Sequence, residues 1–157
     1  MRGCTVAPTV SRPSMREEIE DMPRPIPVPD ELSKPFWDAA NQRRLVVQNC
    51  TACNRKQFPP RATCPACGSA DHLEWREVSG KGHILTYFVI HDSRMKSIQA
   101  MQPINLATVT LDEDPVINFL ANLPGTPVDE VPMGAAVEVT FEQVAPGQLI
   151  PDWKVVR

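Results

Sequence analysis

The sequence predicts a mostly β protein: a short N-terminal helix, a four-cysteine metal ribbon, and a C-terminal five-stranded barrel of OB type. Three observations predict it. Two Cys-x-x-Cys pairs, Cys50/Cys53 and Cys64/Cys67, stand ten residues apart. Beyond Cys67 the apolar residues recur with period two, which signals strands, and the turn residues fall between those runs. Five or six strands fit into about 85 residues with no strong helical pattern among them, which suits a small closed barrel.

The chain starts with a proline-rich leader, residues 1–30, holding six of the seventeen prolines. Pro23-Arg24-Pro25-Ile26-Pro27-Val28-Pro29 alternates proline with other residues and must be extended, because proline locks its own φ and keeps the preceding residue out of the helical region. The segment reads as a disordered start followed by an arm lying on a surface. Arg16 to Glu20 offers at most a weak helical turn. Cys4 is left over from the metal spacing as an exposed thiol of no evident role.

Residues 31–71 read as a helix plus the ribbon. Ser33 is placed to cap a helix, and Pro35 lies in its first turn, where a missing N–H costs little. Phe36, Trp37 and Ala40 share one face, and the helix is expected to end near Arg43. Leu45 to Val47 form a short strand into the first knuckle. Phe58-Pro59-Pro60 is a rigid loop with an aromatic tip.

Each Cys-x-x-Cys places two thiolates on one small turn. Two such turns facing each other surround one ion with four sulfurs, the tetrahedral set zinc accepts. The position after each second cysteine needs a left-handed backbone, and Asn54 and Gly68 tolerate it. Two disulfides or free thiols are the alternatives, and iron is chemically possible with four thiolates. Four protein ligands leave no open position on the metal, so the site is structural.

Residues 72–157 read as the barrel. Leu73 to Val78 is a short strand and Ser79-Gly80-Lys81-Gly82 a turn or bulge. His83 to His91 is a long strand with Ile84, Phe88 and Ile90 on one face and Leu85, Tyr87 and Val89 on the other. That pattern predicts a central strand covered on both sides. Asp92 to Pro103 is long for a compact domain and hence a candidate functional loop. Its Met95, Ile98 and Met101 recur every third residue and would suit an adaptable contact surface for a partner or ligand. Ile104–Leu111 and Val116–Leu123 flank the turn Asp112-Glu113-Asp114-Pro115. Val137, Val139 and Phe141 point inward, and Asp152–Arg157 is the last strand.

The net charge of −3 conceals an asymmetry. Between Ala39 and Ala70 stand five basic residues, Arg43, Arg44, Arg55, Lys56 and Arg61, and no acid. The rest of the chain carries eleven basic and nineteen acidic residues. Such a positive module can meet phosphates or an acidic partner surface. No apolar run approaches membrane-spanning length, and the metal spacing suits a reducing cytoplasm. There is no Gly-rich phosphate loop and no nucleophile elbow. His91-Asp92, at the mouth of the long loop, is the one pair that could act as acid and base. Nucleic-acid binding ranks behind other readings, because the barrel half is acidic and its aromatics are placed to be core.

Phe36-Trp37, Cys50-x-x-Cys53, Phe58-Pro59-Pro60-Arg61, Cys64-Pro65-x-Cys67-Gly68, Glu74-Trp75 and Ser79-Gly80-x-Gly82 stand in one order at one spacing. In these residues the chain resembles the zinc-ribbon OB-fold family associated with acyl-CoA enzymes, domain of unknown function family thirty-five. The match runs from about Pro29 to Arg157. Asn54 departs from it, since the family usually has glycine there. The resemblance implies structural Zn2+, a coenzyme A thioester as ligand of the complex, and a non-catalytic accessory role. The implied partner is a thiolase-like catalytic subunit, or an acyl-CoA aldolase or hydratase, whose acyl-CoA channel the small chain helps to shape. Arg43, Arg44, Arg55, Lys56 and Arg61 would face CoA phosphates or that partner, and Met95, Ile98 and Met101 would reach toward the acyl end.

Overall fold

The computed structural model describes residues 24–99 and 101–156. Cys4 and the expected turn at Arg16–Glu20 lie outside them. Helix α1 spans Lys34–Ala40. Three short strands follow: β1 (Val46–Cys50), β2 (Lys56–Gln57) and β3 (Leu73–Glu77). The barrel strands are β4 (Lys81–Ile90), β5 (Ile104–Leu111), β6 (Asp114–Ala121), β7 (Ala136–Ala145) and β8 (Gln148–Val155), with a four-residue helix α2 (Lys96–Gln99) between β4 and β5. All neighbours pair antiparallel, in a three-stranded sheet β2-β1-β3 and a five-stranded sheet β6-β5-β4-β7-β8.

Helix α1 starts where Ser33 predicts, but the Ser33 side chain makes no capping bond to it. Asp30 intervenes. Its carboxylate accepts from the Ser33 N–H at 2.7 Å, and the Ser33 hydroxyl accepts from the Asp30 N–H at 3.1 Å. The side chain that would cap the helix is thus committed one turn upstream. The same Ser33 contacts hold the Asp30 carboxyl below its ordinary pKa. The helix stops at Ala40, earlier than expected, and the chain turns through Arg43 at φ 60.

Strand β1 is buried along its whole length. One side offers Val47 to the core. Gln48 and Asn49 are buried too, which an apolar pattern does not announce, and each makes a side-chain hydrogen bond within the ribbon, while Asn49 Oδ1 and Gln57 Oε1 have no partner among the described residues. Gln48 Oε1 accepts from Gln57 Nε2 and from the Arg61 N–H, both at 2.7 Å, and Asn49 Nδ2 donates to Glu74 at 3.2 Å. These bonds offset part of the cost of burying the amides.

Strand β4 corrects the expected face pattern. Ile84 pairs with Val109 and Thr86 with Thr108, so Leu85 is an extra residue, a β-bulge. One inserted residue moves every later side chain to the opposite face. Ile84 is buried, but beyond the bulge Tyr87 turns to the core while Leu85 and Phe88 are exposed. The outer side of this central strand is therefore uncovered there. Strand β8 begins at Gln148 rather than Asp152, because Gly147, at φ 75, turns the chain back directly after β7. Pro151 and Pro115 both sit in strands. They are accommodated because β8 and β6 are the sheet edges, where a missing N–H breaks no ladder.

The five-stranded sheet curls until its edges approach. Among the described residues one backbone bond, Trp153 N–H to the Asn122 carbonyl at 3.3 Å, joins them. Phe36, Leu45 and Val47 from the helix and ribbon share one buried cluster with Val109, Ile117 and Trp153 of the barrel. An aromatic chain crosses this seam. Ring centroids stand 5.1 Å apart for Phe36–Phe58, 4.2 Å for Phe58–Phe119 and 5.7 Å for Phe119–Trp153. Phe58 is the tip of the loop between the knuckles, so the ribbon is anchored in the barrel by its own aromatic. Among the described residues no helix is long and apolar enough to cross a membrane.

Candidate metal centre and its surroundings

The two knuckles are built alike. The Asn54 N–H donates to the Cys50 carbonyl at 2.7 Å, and the Gly68 N–H to the Cys64 carbonyl at 2.8 Å. Asn54 and Gly68 take φ of 62 and 74, the left-handed backbone their types permit. Cys50 and Cys64 are buried, and Cys53 and Cys67 are exposed. Cys50 Sγ stands 3.6 Å from Cys67 Sγ, and Cys53 Sγ stands 3.6 Å from Cys64 Sγ. All four sulfurs lie within 4.8 Å of one another. A tetrahedral ion with metal–sulfur bonds of about 2.3 Å separates its ligands by about 3.8 Å, so the cage fits zinc.

The thiol chemistry agrees. Backbone amides of Cys67 and Ala66 point at Cys64 and pull its thiol down to about 6. The Arg55 amide favours the Cys53 thiolate in the same way, but hydrogen bonds with Cys64 and the other two thiols, aided by desolvation, push Cys53 up to about 12. Sulfurs this close resist sharing several negative charges, and a divalent cation between them removes that conflict. With four protein ligands the bound metal has no vacant position, and its contribution is to hold the two knuckles together.

The basic residues divide. Arg55, Lys56 and Arg61 converge on a cavity of about 250 Å³ between the ribbon and β6, lined also by Phe58, Pro59 and Val116. Lys56 reaches across to Asp114 of β6 at 3.5 Å. Arg44 lies apart, paired with Glu77 at 2.8 Å, and Arg43 is exposed at the turn after α1. In the loop after β4, Met95 is exposed, while Ile98 and Met101 are half-buried. His91 and Asp92 are both exposed. The histidine–carboxylate contact the fold makes is instead His83 Nδ1 with Asp112 Oδ1, at 3.2 Å on the surface.

The charged cluster that sequence reasoning missed joins the proline-rich arm to the last two strands. Arg24, in the proline-rich arm, bonds to Asp152 of β8 and to Glu142 of β7. A second guanidinium nitrogen reaches Asp152 Oδ1 at 3.3 Å. Asp152 is 1% exposed. The available signals were Arg24 as a lone cation among alternating prolines and Asp152 as the only acid after Glu142. Burial raises the Asp152 carboxyl above its ordinary value, and the Arg24 bond pulls back against that rise.

Arg24→Ala is expected to destabilise the fold by about 1–3 kcal/mol at neutral pH. That is less than a fully buried pair would cost, because Arg24 remains partly open to solvent. The variant pKa of Asp152 rises further once the cation is gone. A group whose folded-state pKa is raised binds its proton more readily folded than unfolded, so the loss shrinks as pH falls from 8 toward the carboxylate range. Urea unfolding of both proteins across that range checks it. A stability gap independent of pH would contradict the assignment.

Comparison with known proteins places this architecture. The profile of the ChsH2 rubredoxin-like zinc ribbon domain matches residues 37–72, and that of the ChsH2 C-terminal OB-fold domain matches residues 75–142. A DUF35 domain-containing scaffold protein of Methanocaldococcus jannaschii is 31% identical over 120 residues, covering 73% of this chain and 80% of that protein. A probable enoyl-CoA hydratase alpha subunit of Thermomonospora curvata is 32% identical over 143 residues and aligns with 89% of this chain, which spans only 43% of that longer relative. Among solved structures, a chain of the Ltp2-ChsH2(DUF35) aldolase superposes with a TM-score of 0.72 at 29% identity, over 82% of this chain and 98% of that one. The chain belongs to the DUF35 family, with the ChsH2 arrangement of a zinc ribbon followed by an OB fold.

Proposed function

We propose that this chain is a non-catalytic, zinc-containing accessory subunit of an enzyme acting on CoA thioesters, and that its catalytic partner is an aldolase or a hydratase. The observation that carries the reading is the likeness, over 82% of this chain and 98% of the other, to a chain of the Ltp2-ChsH2(DUF35) aldolase. The relative named as an enoyl-CoA hydratase subunit supports the same substrate class. The sequence resemblance put a thiolase first, but these relatives name an aldolase and a hydratase, and the partner is proposed accordingly. A saturated metal site and an exposed His91–Asp92 pair fit a chain that supplies scaffold rather than a nucleophile.

Within that reading, Arg55, Lys56 and Arg61 meet the phosphates of the CoA thioester, and Met95, Ile98 and Met101 contact the partner or the acyl end. Arg43 and Arg44 stand apart from the cavity and serve the partner surface. Arg55→Ala/Arg61→Ala in the complex is expected to raise KM for the acyl-CoA by about threefold to tenfold, since charge-assisted phosphate contacts at an open site are worth about 1 kcal/mol together. A KM rise with intact assembly assigns the pair to CoA. Weakened assembly at unchanged KM assigns it to the partner chain.

The direct test is capture of the complex from native extract at low salt, identification of the larger chain, and reconstitution from the two purified chains. Retro-aldol cleavage or hydration of an acyl-CoA should require the partner and rise with this chain added. Turnover by this chain alone, abolished in His91→Ala, would overturn the non-catalytic reading. Thiolysis by the reconstituted pair would move the partner class to thiolase. Recovery with nucleic acid, lost steeply with salt, would overturn the CoA assignment altogether.

A further inference from the structure

The arm that carries Arg24 forms one wall of a groove whose lining describes a ligand class. A cavity of about 350 Å³ lies between α1, the ribbon tip and the β6–β8 seam. Phe36, Trp37, Phe58 and Trp153 line it on one side, and Pro25 and Pro27 close it on the other. Arg24 lines it too, and its guanidinium is bonded to the carboxylates of Asp152 and Glu142 beside the cavity. The groove thus combines a flanking acidic pair that takes a guanidinium with an aromatic floor that takes proline.

The spacing in the arm matches. Arg24 and Pro27 are partly buried, whereas Pro25, Ile26, Val28 and Pro29 are exposed, Val28 at 94%. An extended proline-rich segment has three residues per turn, so positions three apart share a face. Arg24 and Pro27 are one such pair. Aromatic-lined grooves recognise proline-rich segments in this way because the ligand arrives already ordered and loses little entropy on binding. The charge relation adds a second, independent constraint. Asp152 is an almost wholly buried carboxylate on the barrel wall, and the cation that pairs with it comes from outside the barrel, on the arm. A buried carboxylate without a cation is costly, so any segment that displaces the arm must bring an equivalent charge to the same place.

We propose that this groove is a recognition site for extended Arg-x-x-Pro segments, walled here by the chain's own arm and entered by a partner protein whose segment of the same chemistry displaces it. The arm is then a built-in competitor. Tethering gives it an effective concentration in the millimolar range, so the intact chain resists weak ligands and yields to strong ones.

The test uses the full chain and a blocked peptide, Arg-Pro-Ile-Pro-Val-Pro, followed by tryptophan fluorescence, since Trp37 and Trp153 line the groove, and by calorimetry. The double variant Arg24→Ala/Pro27→Ala removes the competitor and should bind the peptide at least about tenfold more tightly than the wild type. The peptide with its arginine replaced by alanine should lose at least about tenfold, and added salt should weaken the native peptide. A double variant that keeps its zinc and still unfolds cooperatively, even at a lower midpoint, yet binds no more tightly than wild type overturns the proposal. A wild-type dimer that the peptide dissociates overturns the assignment to the chain's own arm and gives the groove to the arm of a second copy.

Discussion

Cys50→Ser is expected to bring the zinc content from about one ion per chain to near zero, and to unfold the ribbon with it. Cys50 is buried, and its sulfur stands 3.6 Å from that of Cys67 across the cage. Serine offers a harder, less acidic oxygen in a pocket built for thiolate. Structural zinc contributes about 10–16 kcal/mol of apparent binding energy in isolated zinc-finger peptides at neutral pH, more than the net stability of an ordinary domain. The damage should not stop at the knuckles. Phe58 hangs between them and packs on Phe36 and Phe119, so losing the loop's geometry opens the seam to the barrel. The variant should therefore show a lowered barrel transition and fail to assemble with the proposed catalytic subunit. Cys53→Ser, at an exposed ligand, should behave alike, because coordination rather than burial decides the outcome. Metal analysis with hydrogen exchange of the β1 amides is the measurement. Slow exchange at β1 in a zinc-free variant would show that the fold holds the ribbon without metal.

Trp153→Ala should cost about 3–5 kcal/mol, the range for removing a fully buried large aromatic. Trp153 is 0% exposed and is the end of the aromatic chain that starts at Phe36. Its position compounds the loss. Its backbone N–H makes the one backbone bond that joins the two sheet edges among the described residues, and its ring lines the groove beneath the arm. A cavity there loosens both contacts at once. Trp153→Phe keeps most of the volume and should recover more than half of the loss. Equilibrium unfolding in urea separates the three proteins, and a loss below about 1 kcal/mol for the alanine variant would mean that the seam repacks freely.

The ribbon was the most legible part of the molecule. Four cysteines at metal spacing, followed by Asn54 and Gly68, carry their geometry in neighbouring residues, and each knuckle is closed by bonds only four residues long. The period-two stretches were legible for the same reason, since Ile104–Leu111 runs where its alternation places it. The sequence alone therefore determined the metal site, the helix that precedes it and the presence of a β barrel after it. Tertiary structure decided the rest. Strand β3 pairs with β1 beside the ribbon, although its period-two pattern reads the same as that of a barrel strand. The bulge at Leu85 exchanged the faces of β4, and no residue type announces an unpaired position in a run that is apolar throughout. Arg55, Lys56 and Arg61 gather at one cavity while Arg44 turns to Glu77, because charge along the chain does not specify direction in space. The Arg24–Asp152 pair spans 128 residues. Local turns and periodicity are written in adjacent residues, whereas register, face and long-range pairing are chosen by the packing of the whole chain, and only the folded protein makes that choice.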